Sequence, residues 1–301
     1  MMDGRVLITG ADGRLGGALI KELTDRGQYG IVTVSLDKQM AFDMFEREKI
    51  EHPDRIVVMD QQDFFGGAWD GLDISTAIHM AFSRGNRPSA EIANSLDHTR
   101  DVYQRLYEKK VSRVVYLSSQ SVYGKTAAWR MEDLPPSPES IYAMAKYAGE
   151  KLLEARFRNE QGVDYTILRL DYVIQSQKLI PTLCRDAREK GVLALRGGKQ
   201  TFSYIDKSDV AKAIAALLEH AGPWKPLYNV GPNRMRCTLM EVAQTVASVA
   251  EKHGKANVQI KLSEDDTELW SGMDSSLFMK DTGWSPSMDL RQMVEKIYEE
   301  V

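Results

Sequence analysis

Short apolar runs punctuate the first half of the chain, and stretches with a 3.6-residue apolar period separate most of them. Residues 6–9, 31–36, 56–59, 75–79, 114–118 and 165–169 read as strands. Residues 92–109 and 141–160 read as helices, as does the segment that opens with Ala18-Leu19-Ile20-Lys21-Glu22-Leu23. Strands alternating with helices predict a parallel sheet covered on both faces, the doubly wound α/β class. Asp133-Leu134-Pro135-Pro136-Ser137-Pro138 reads as a loop, because its prolines stop a preceding helix and pre-set turns. Ser137 or Ser140 is placed to cap the helix that follows.

After Arg169 the pattern changes. Residues 179–190, 208–220, 238–252 and 289–301 read as helices, and 193–204 as a short strand and turn around Gly197-Gly198. This predicts a main unit over residues 1–175 and a smaller lobe over 176–301.

Two local patterns carry chemistry. The first strand runs into Gly10-Ala11-Asp12-Gly13-Arg14-Leu15-Gly16-Gly17, and a helix follows. Strand, glycine turn and helix are the context of a dinucleotide site. Gly10 allows a tight turn, Gly13 admits a pyrophosphate close to the backbone, and Gly16 lets helix and strand approach. The helix N-terminus offers unpaired N–H groups to phosphate. The second pattern begins at Ser118-Ser119-Gln120-Ser121-Val122-Tyr123-Gly124. Tyr142 follows 23 residues after Ser119, and Lys146 lies four further on. Positions four apart share a helix face. A fixed ammonium favours phenolate and is expected to lower the phenol pKa from about 10. A serine hydroxyl can hold the oxygen that gains or loses the proton.

Thr9-Gly10-x-x-Gly13-x-x-Gly16, Ser119 ahead of Val122-Tyr123-Gly124, and Tyr142-x-x-x-Lys146 together resemble the extended short-chain dehydrogenases/reductases. More narrowly, they resemble the NAD-dependent epimerase/dehydratase family. The resemblance continues through Ala77-Ile78-His79-Met80-Ala81, Asn94, Thr166-Ile167-Leu168-Arg169 and Tyr204–Ala211. It ends in Tyr228-Asn229-Val230-Gly231 and Thr282-Gly283-Trp284-Ser285-Pro286. It implies a Rossmann-type sheet with a smaller C-terminal substrate lobe, and a segment near 207–231 that returns to the main unit. It also implies a catalytic set of Ser119, Tyr142 and Lys146. A nicotinamide dinucleotide would then contact Gly10, Asp12, Gly13, Arg14, Leu15, Gly16, Asp37, Asp60, Gln61, Met80, Ala81, Phe82, Asn94, Leu117 and Ser118, besides Tyr142 and Lys146. Ser83, Gln120, Ser121, Tyr172 and Gln200 would face the substrate. The family often pairs through the Tyr142 helix and the one before it. Ala143, Ala145, Ala148 and Gly149 give that helix small side chains, so a homodimer is expected.

An acidic residue about 20 positions beyond the last turn glycine favours NAD, and Asp37 fits. Ser35 is the alternative reading position, with Lys38 or Arg14 then available to a 2′-phosphate, so NADP stays open. Two departures bear on the substrate. Gln120 and Ser121 stand where the family's dehydratases carry an acidic pair, and neither is a general acid at pH 7. Water elimination is therefore disfavoured, and oxidation/reduction or epimerisation is left. Tyr172 and Gln200 stand where nucleotide-sugar members have Asn and a diphosphate-gripping Arg. Lys199 or Arg196 could compensate, and a smaller polyol or sugar acid becomes an alternative substrate.

Composition narrows the partners. The chain has 301 residues, 43% hydrophobic and 27% charged, with net charge -4 and no dominant basic run. That argues against nucleic acid or an anionic membrane as the main partner. Only Cys184 and Cys237 are present, no metal spacing occurs, and no apolar span reaches membrane length. A cytoplasmic enzyme acting on a small molecule is the expectation. His79, at the end of an apolar strand, reads as a satisfied buried histidine rather than a base.

Overall fold

The computed structural model describes residues 4–301. The first half builds β1 (Arg5–Thr9), α1 (Arg14–Arg26), β2 (Gly30–Ser35), α2 (Lys38–Glu48), β3 (Val57–Asp60) and α3 (Gln61–Gly66). It continues with β4 (Ile74–His79), α4 (Ser89–Glu108), β5 (Arg113–Ser119), α5 (Ile141–Phe157) and β6 (Asp164–Leu170). The second half adds β7 (Tyr172–Val173), α6 (Leu179–Lys190), β8 (Val192–Arg196), β9 (Thr201–Phe202), β10 (Tyr204–Ile205) and α7 (Lys207–Glu219). It ends with β11 (Leu227–Val230), β12 (Cys237–Thr238), α8 (Leu239–Lys252), β13 (Gln259–Ser263), α9 (Ser276–Thr282) and α10 (Leu290–Glu300).

Seven strands form one parallel sheet in the order β11-β6-β5-β4-β1-β2-β3. The order turns back on itself beside β1, so a crevice opens at the C-terminal strand ends between β1 and β4. Both faces are covered, which is why the strands read as apolar runs. Leu19, Ile20 and Leu23 of α1 and Ile214 and Leu217 of α7 pack on one face. Val102 and Leu106 of α4 and Leu153 and Phe157 of α5 pack on the other. Thus α7 and β11, late in sequence, sit with the sheet. A separate apolar cluster joins Ile180 and Leu183 of α6, Val242 and Val246 of α8, and Val294 and Ile297 of α10. β8 pairs in parallel with β13, a strand the sequence pattern did not signal because its residues are mostly exposed.

Ser140 caps α5 by accepting from the Ala143 N–H at 3.1 Å. The small residues of α5 serve the protomer itself. Ala143 and Ala145 are buried, and a Cβ on Gly149 would lie 2.5 Å from the Tyr116 hydroxyl of β5. The close neighbour permitted by that face is the sheet. Among the described residues no helix is long and apolar enough to cross a membrane.

Candidate active site

The glycine turn is a backbone junction. Gly10 has φ 69°, and a Cβ there would lie 2.8 Å from both Cα and N of Ala81, at the end of β4. A Cβ at Gly16 would lie 2.5 Å from the Gly10 carbonyl oxygen, with Ala11 backbone at 2.6 and 2.7 Å. Backbone cannot yield as a flexible side chain can. Gly16→Ala is therefore expected to cost about 1–3 kcal/mol of stability and to weaken NADH binding about tenfold or more. Denaturant unfolding and a fluorescence titration would measure the two. Unchanged values in both would contradict the close approach.

Beside the turn, His79 is fully buried and joins two threonines. Thr9 Oγ1 lies 2.7 Å from its Nδ1, and Thr99 Oγ1 lies 2.9 Å from its Nε2. The Met80 N–H donates to the same Thr9 oxygen at 3.2 Å. Burial pulls the His79 pKa well below its ordinary value. A neutral imidazole that receives from Thr9 and donates to Thr99 satisfies every partner. It holds the Met80–Phe82 segment against the turn as a structural element.

Ser119 ends β5, and Tyr142 and Lys146 lie one turn apart on α5. All three line one cleft of about 690 Å³ with Gly10, Gly13 and Gly16. The Phe82 ring meets the Tyr142 ring edge-on at 6.1 Å and covers the Lys146 ammonium at 4.1 Å. Lys146 is 4% exposed and donates to the Leu117 carbonyl at 2.8 Å. Ser119 Oγ accepts from the Ser121 N–H at 3.2 Å and from Ser121 Oγ at 3.0 Å, which leaves its own O–H to donate elsewhere. Burial pushes the half-buried Tyr142 phenol up to about 12, against the lowering influence of Ser119. Burial pulls Lys146 down to about 7, with the Glu150 carboxylate opposing. The shift at Tyr142 is thus opposite to the depression expected from a neighbouring ammonium, because desolvation dominates and only the Ser119 hydroxyl opposes it.

Behind Lys146, Glu150 joins β5, α5 and β6. Its Oε1 accepts from Ser118 Oγ at 2.5 Å and Arg169 Nε at 3.0 Å, and its Oε2 accepts from Arg169 Nη2 at 2.6 Å. Ser118 is turned to this pair and is buried.

The adjoining part of the crevice, about 500 Å³, is lined by Asp12, Gln61, Met80, Ala81, Phe82, Ser83 and Asn94, as well as Ser35 and Leu36. Arg14, Leu15, Leu117, Ser118, Ser121 and Tyr172 line the Tyr142 side. Four of the residues singled out from sequence spend their side chains on local structure. Asp37 is exposed and caps α2 through the Met40 N–H at 3.0 Å. Asp60 caps α3 through the Asp63 N–H at 2.8 Å. Gln120 is buried and donates to Asp171 Oδ1 at 2.5 Å while accepting from the Gly272 N–H at 3.0 Å. Gln200 is buried and donates to the Arg196 carbonyl at 3.1 Å.

Arg84, Gly85, Asn86, Asp171 and Lys178, none of them marked by the sequence motifs, also line the Tyr142 side. Gly85 lies against Tyr142, where an added Cβ would be 3.2 Å from Cγ. A glycine just past a strand end was the available signal for that segment. Asp171 had none.

Asp171 is 3% exposed, and its Oδ2 has no hydrogen-bond partner. Burial pushes its carboxyl up to about 7, against lowering contributions from Ser203, the Tyr172 N–H, Arg130 and Arg236. A carboxyl with a raised folded pKa contributes stability at low pH and loses it as pH rises from the unfolded value toward the folded one. Asp171→Asn, which cannot ionise, is expected to match wild type near pH 4 and exceed it by about 4 kcal/mol above pH 7. Denaturant midpoints across that range test this; parallel curves would refute the shift.

The family model for the NAD dependent epimerase/dehydratase family matches residues 6–231. The chain is 24% identical over 353 residues to dTDP-L-rhamnose 4-epimerase of Burkholderia thailandensis, covering 99% of this chain and 95% of that protein. It is 24% identical over 330 residues to dTDP-4-dehydro-6-deoxyglucose reductase of Escherichia coli, covering 100% and 99%. Among solved structures, UDP-glucuronic acid 4-epimerase from Bacillus cereus, in complex with UDP-glucuronic acid and NAD, superposes with a TM-score of 0.82. Identity is 20%, and 98% of each chain is covered. With the glycine turn, the parallel sheet and a match over most of its length, the chain belongs to the NAD dependent epimerase/dehydratase family.

Proposed function

We propose that the protein is an oxidoreductase or epimerase acting on a hydroxyl or carbonyl of a sugar, nucleotide sugar or related compound, with Ser119, Tyr142 and Lys146 as its catalytic residues. The observation carrying this reading is that the three side chains share one cleft with the glycine turn. The dinucleotide fits that turn, because Gly13 and the first α1 residues Arg14, Leu15 and Gly16 line the cleft without bulky side chains at the two glycines, and a helix N-terminus favours phosphate. When bound, NAD supplies the hydride acceptor and donor. Tyr142, neutral at pH 7 with its pKa near 12, holds a proton for an oxygen that develops negative charge. Ser119 donates to the same oxygen. Lys146, tuned near neutrality and fixed on the Leu117 carbonyl, offers its remaining protons to the ribose side of the cleft.

The choice between NAD and NADP rests on the end of β2. Ser35 lines the crevice with an unpartnered Oγ, while Asp37 is committed to its cap and Lys38 to Asp63 at 2.5 Å. We retain NAD as the main cofactor, with NADP as the second reading. Residues 1–175 with the 207–231 segment form the dinucleotide unit in this reading, and the 176–301 lobe carries most substrate contacts. A homodimer through α4 and α5 is part of the same proposal. Exposed Tyr107 and Met144 on those helices support it, and sedimentation would test it.

Titration with NADH and NADPH, followed by turnover on UDP-, dTDP- and GDP-sugars, free sugars and polyols, tests the function. Tighter binding of NADPH would reverse the cofactor preference. Absence of binding to either would reject the reading. Binding without turnover of any compound would favour a dinucleotide-sensing protein on this fold.

A further inference from the structure

Away from the cleft, the C-terminal lobe carries a cluster of metal-ligating side chains. Glu295 and Glu299 stand four residues apart on α10 and so share one helix face. His253, the residue that ends α8, meets that face. One donor atom from each of the three lies within 4.8 Å of the other two. None of the three lines the cleft or the adjoining crevice.

The spacing suits a shared ion better than a hydrogen bond. His253 Nε2 lies 3.6 Å from Glu295 Oε1, too long for N–H···O. Two ligands each about 2.0–2.2 Å from one tetrahedral ion stand about 3.4 Å apart. The buried Tyr298 ring backs the imidazole, with 5.2 Å between centroids. Two helix dipoles also favour a cation there. Arg291 donates to Ser248 at 3.1 Å and Lys252 to Glu295, each pair 43 residues apart, so α8 and α10 run in parallel. Their partially negative C-terminal ends therefore point the same way, toward the end of the lobe that holds His253 and Glu299. The Lys252 hydrogen bond, with His253 adding to it, holds the Glu295 carboxyl below its usual range, so this ligand is ionised at neutral pH. Lys252 is the competing cation; its side chain is 58% exposed and can turn into water.

We propose that His253, Glu295 and Glu299 form a site for a divalent transition-metal ion, completed by water, which staples the end of α8 to the last helix, α10. An imidazole beside two carboxylates suits zinc and its neighbours, whereas magnesium and calcium take oxygen ligands. The ion replaces the Lys252 ammonium at Glu295. Its role is to hold the lobe together, and it takes no part in the chemistry at Tyr142. The site stands independently of the function proposed for the cleft.

Calorimetric titration of Zn²⁺ into the chelator-treated full chain tests the site, beside His253→Ala, Glu299→Gln and Lys252→Met. Wild type is expected to bind one ion per chain saturably, and its thermal midpoint should rise as zinc is added, because only the folded chain brings the three ligands together. His253→Ala and Glu299→Gln should each bind about tenfold or more weakly and lose the rise. Lys252→Met should bind about two- to fivefold more tightly, since no ammonium competes for Glu295. Absence of saturable binding, or equal affinity in wild type and His253→Ala, would overturn the proposal. So would weaker binding by Lys252→Met, or Mg²⁺ binding as tightly as Zn²⁺. A thermal midpoint that does not move at saturating zinc would refute the staple.

Discussion

Tyr142→Phe is expected to lower kcat/KM by about 10²–10⁴-fold on whichever sugar compound is turned over, with NADH affinity unchanged within about twofold. The substitution removes one oxygen and keeps the ring. The edge-on contact with Phe82 and the packing against Gly85 depend on the ring alone. Lys146 is anchored to the Leu117 carbonyl and stays in place. A change in kcat with KM little altered would fit a proton held for the transition state. Because burial sets the phenol near 12, the protein stores the proton across the physiological range. Retention of more than about a tenth of the activity would remove Tyr142 from the mechanism.

Glu150→Ala carries the largest expected effect on stability, a loss of about 3–5 kcal/mol. Arg169 is 3% exposed and its charge-bearing nitrogens reach Glu150 at 2.6 and 3.0 Å. Without that carboxylate a buried guanidinium would face the Tyr123 ring alone, at 4.5 Å. Ser118 would lose its acceptor as well. Denaturant unfolding should show the shift. A loss below about 1 kcal/mol would mean that water or another acceptor satisfies Arg169. The milder Glu150→Gln should fold and report on positioning. Glu150 opposes the burial that lowers Lys146, so its neutralisation should pull the Lys146 pKa further down. NADH affinity in that variant should begin to fall at lower pH than in wild type as Lys146 loses its proton. Coincident pH profiles would argue that Glu150 acts through packing alone.

Much of this protein could be read along the chain because its signals are local. Six apolar runs became strands, since residues that must be buried on both sheet faces leave continuous apolar stretches. The glycine turn was legible because backbone approaching backbone admits no Cβ at Gly10 or Gly16. A serine cap was legible at Ser137 or Ser140, and Ser140 fills it because its hydroxyl reaches three residues ahead. Tyr142 and Lys146 shared a helix face by spacing alone.

Residue type and spacing could not say where the side chains of Asp37, Asp60, Gln120 and Gln200 would go. Each found a nearer partner: a cap N–H, Asp171 or a carbonyl. Nor could they reveal the raised carboxyl of Asp171 or the Glu150–Arg169 pair. Periodicity and turn chemistry are properties of neighbouring residues, so the order of residues alone determined the sheet, the glycine turn and the Tyr142–Lys146 helix. Burial and electrostatic environment arise only when distant segments meet. The tertiary structure therefore decided the phenol and ammonium pKa directions and the partners of each buried charge.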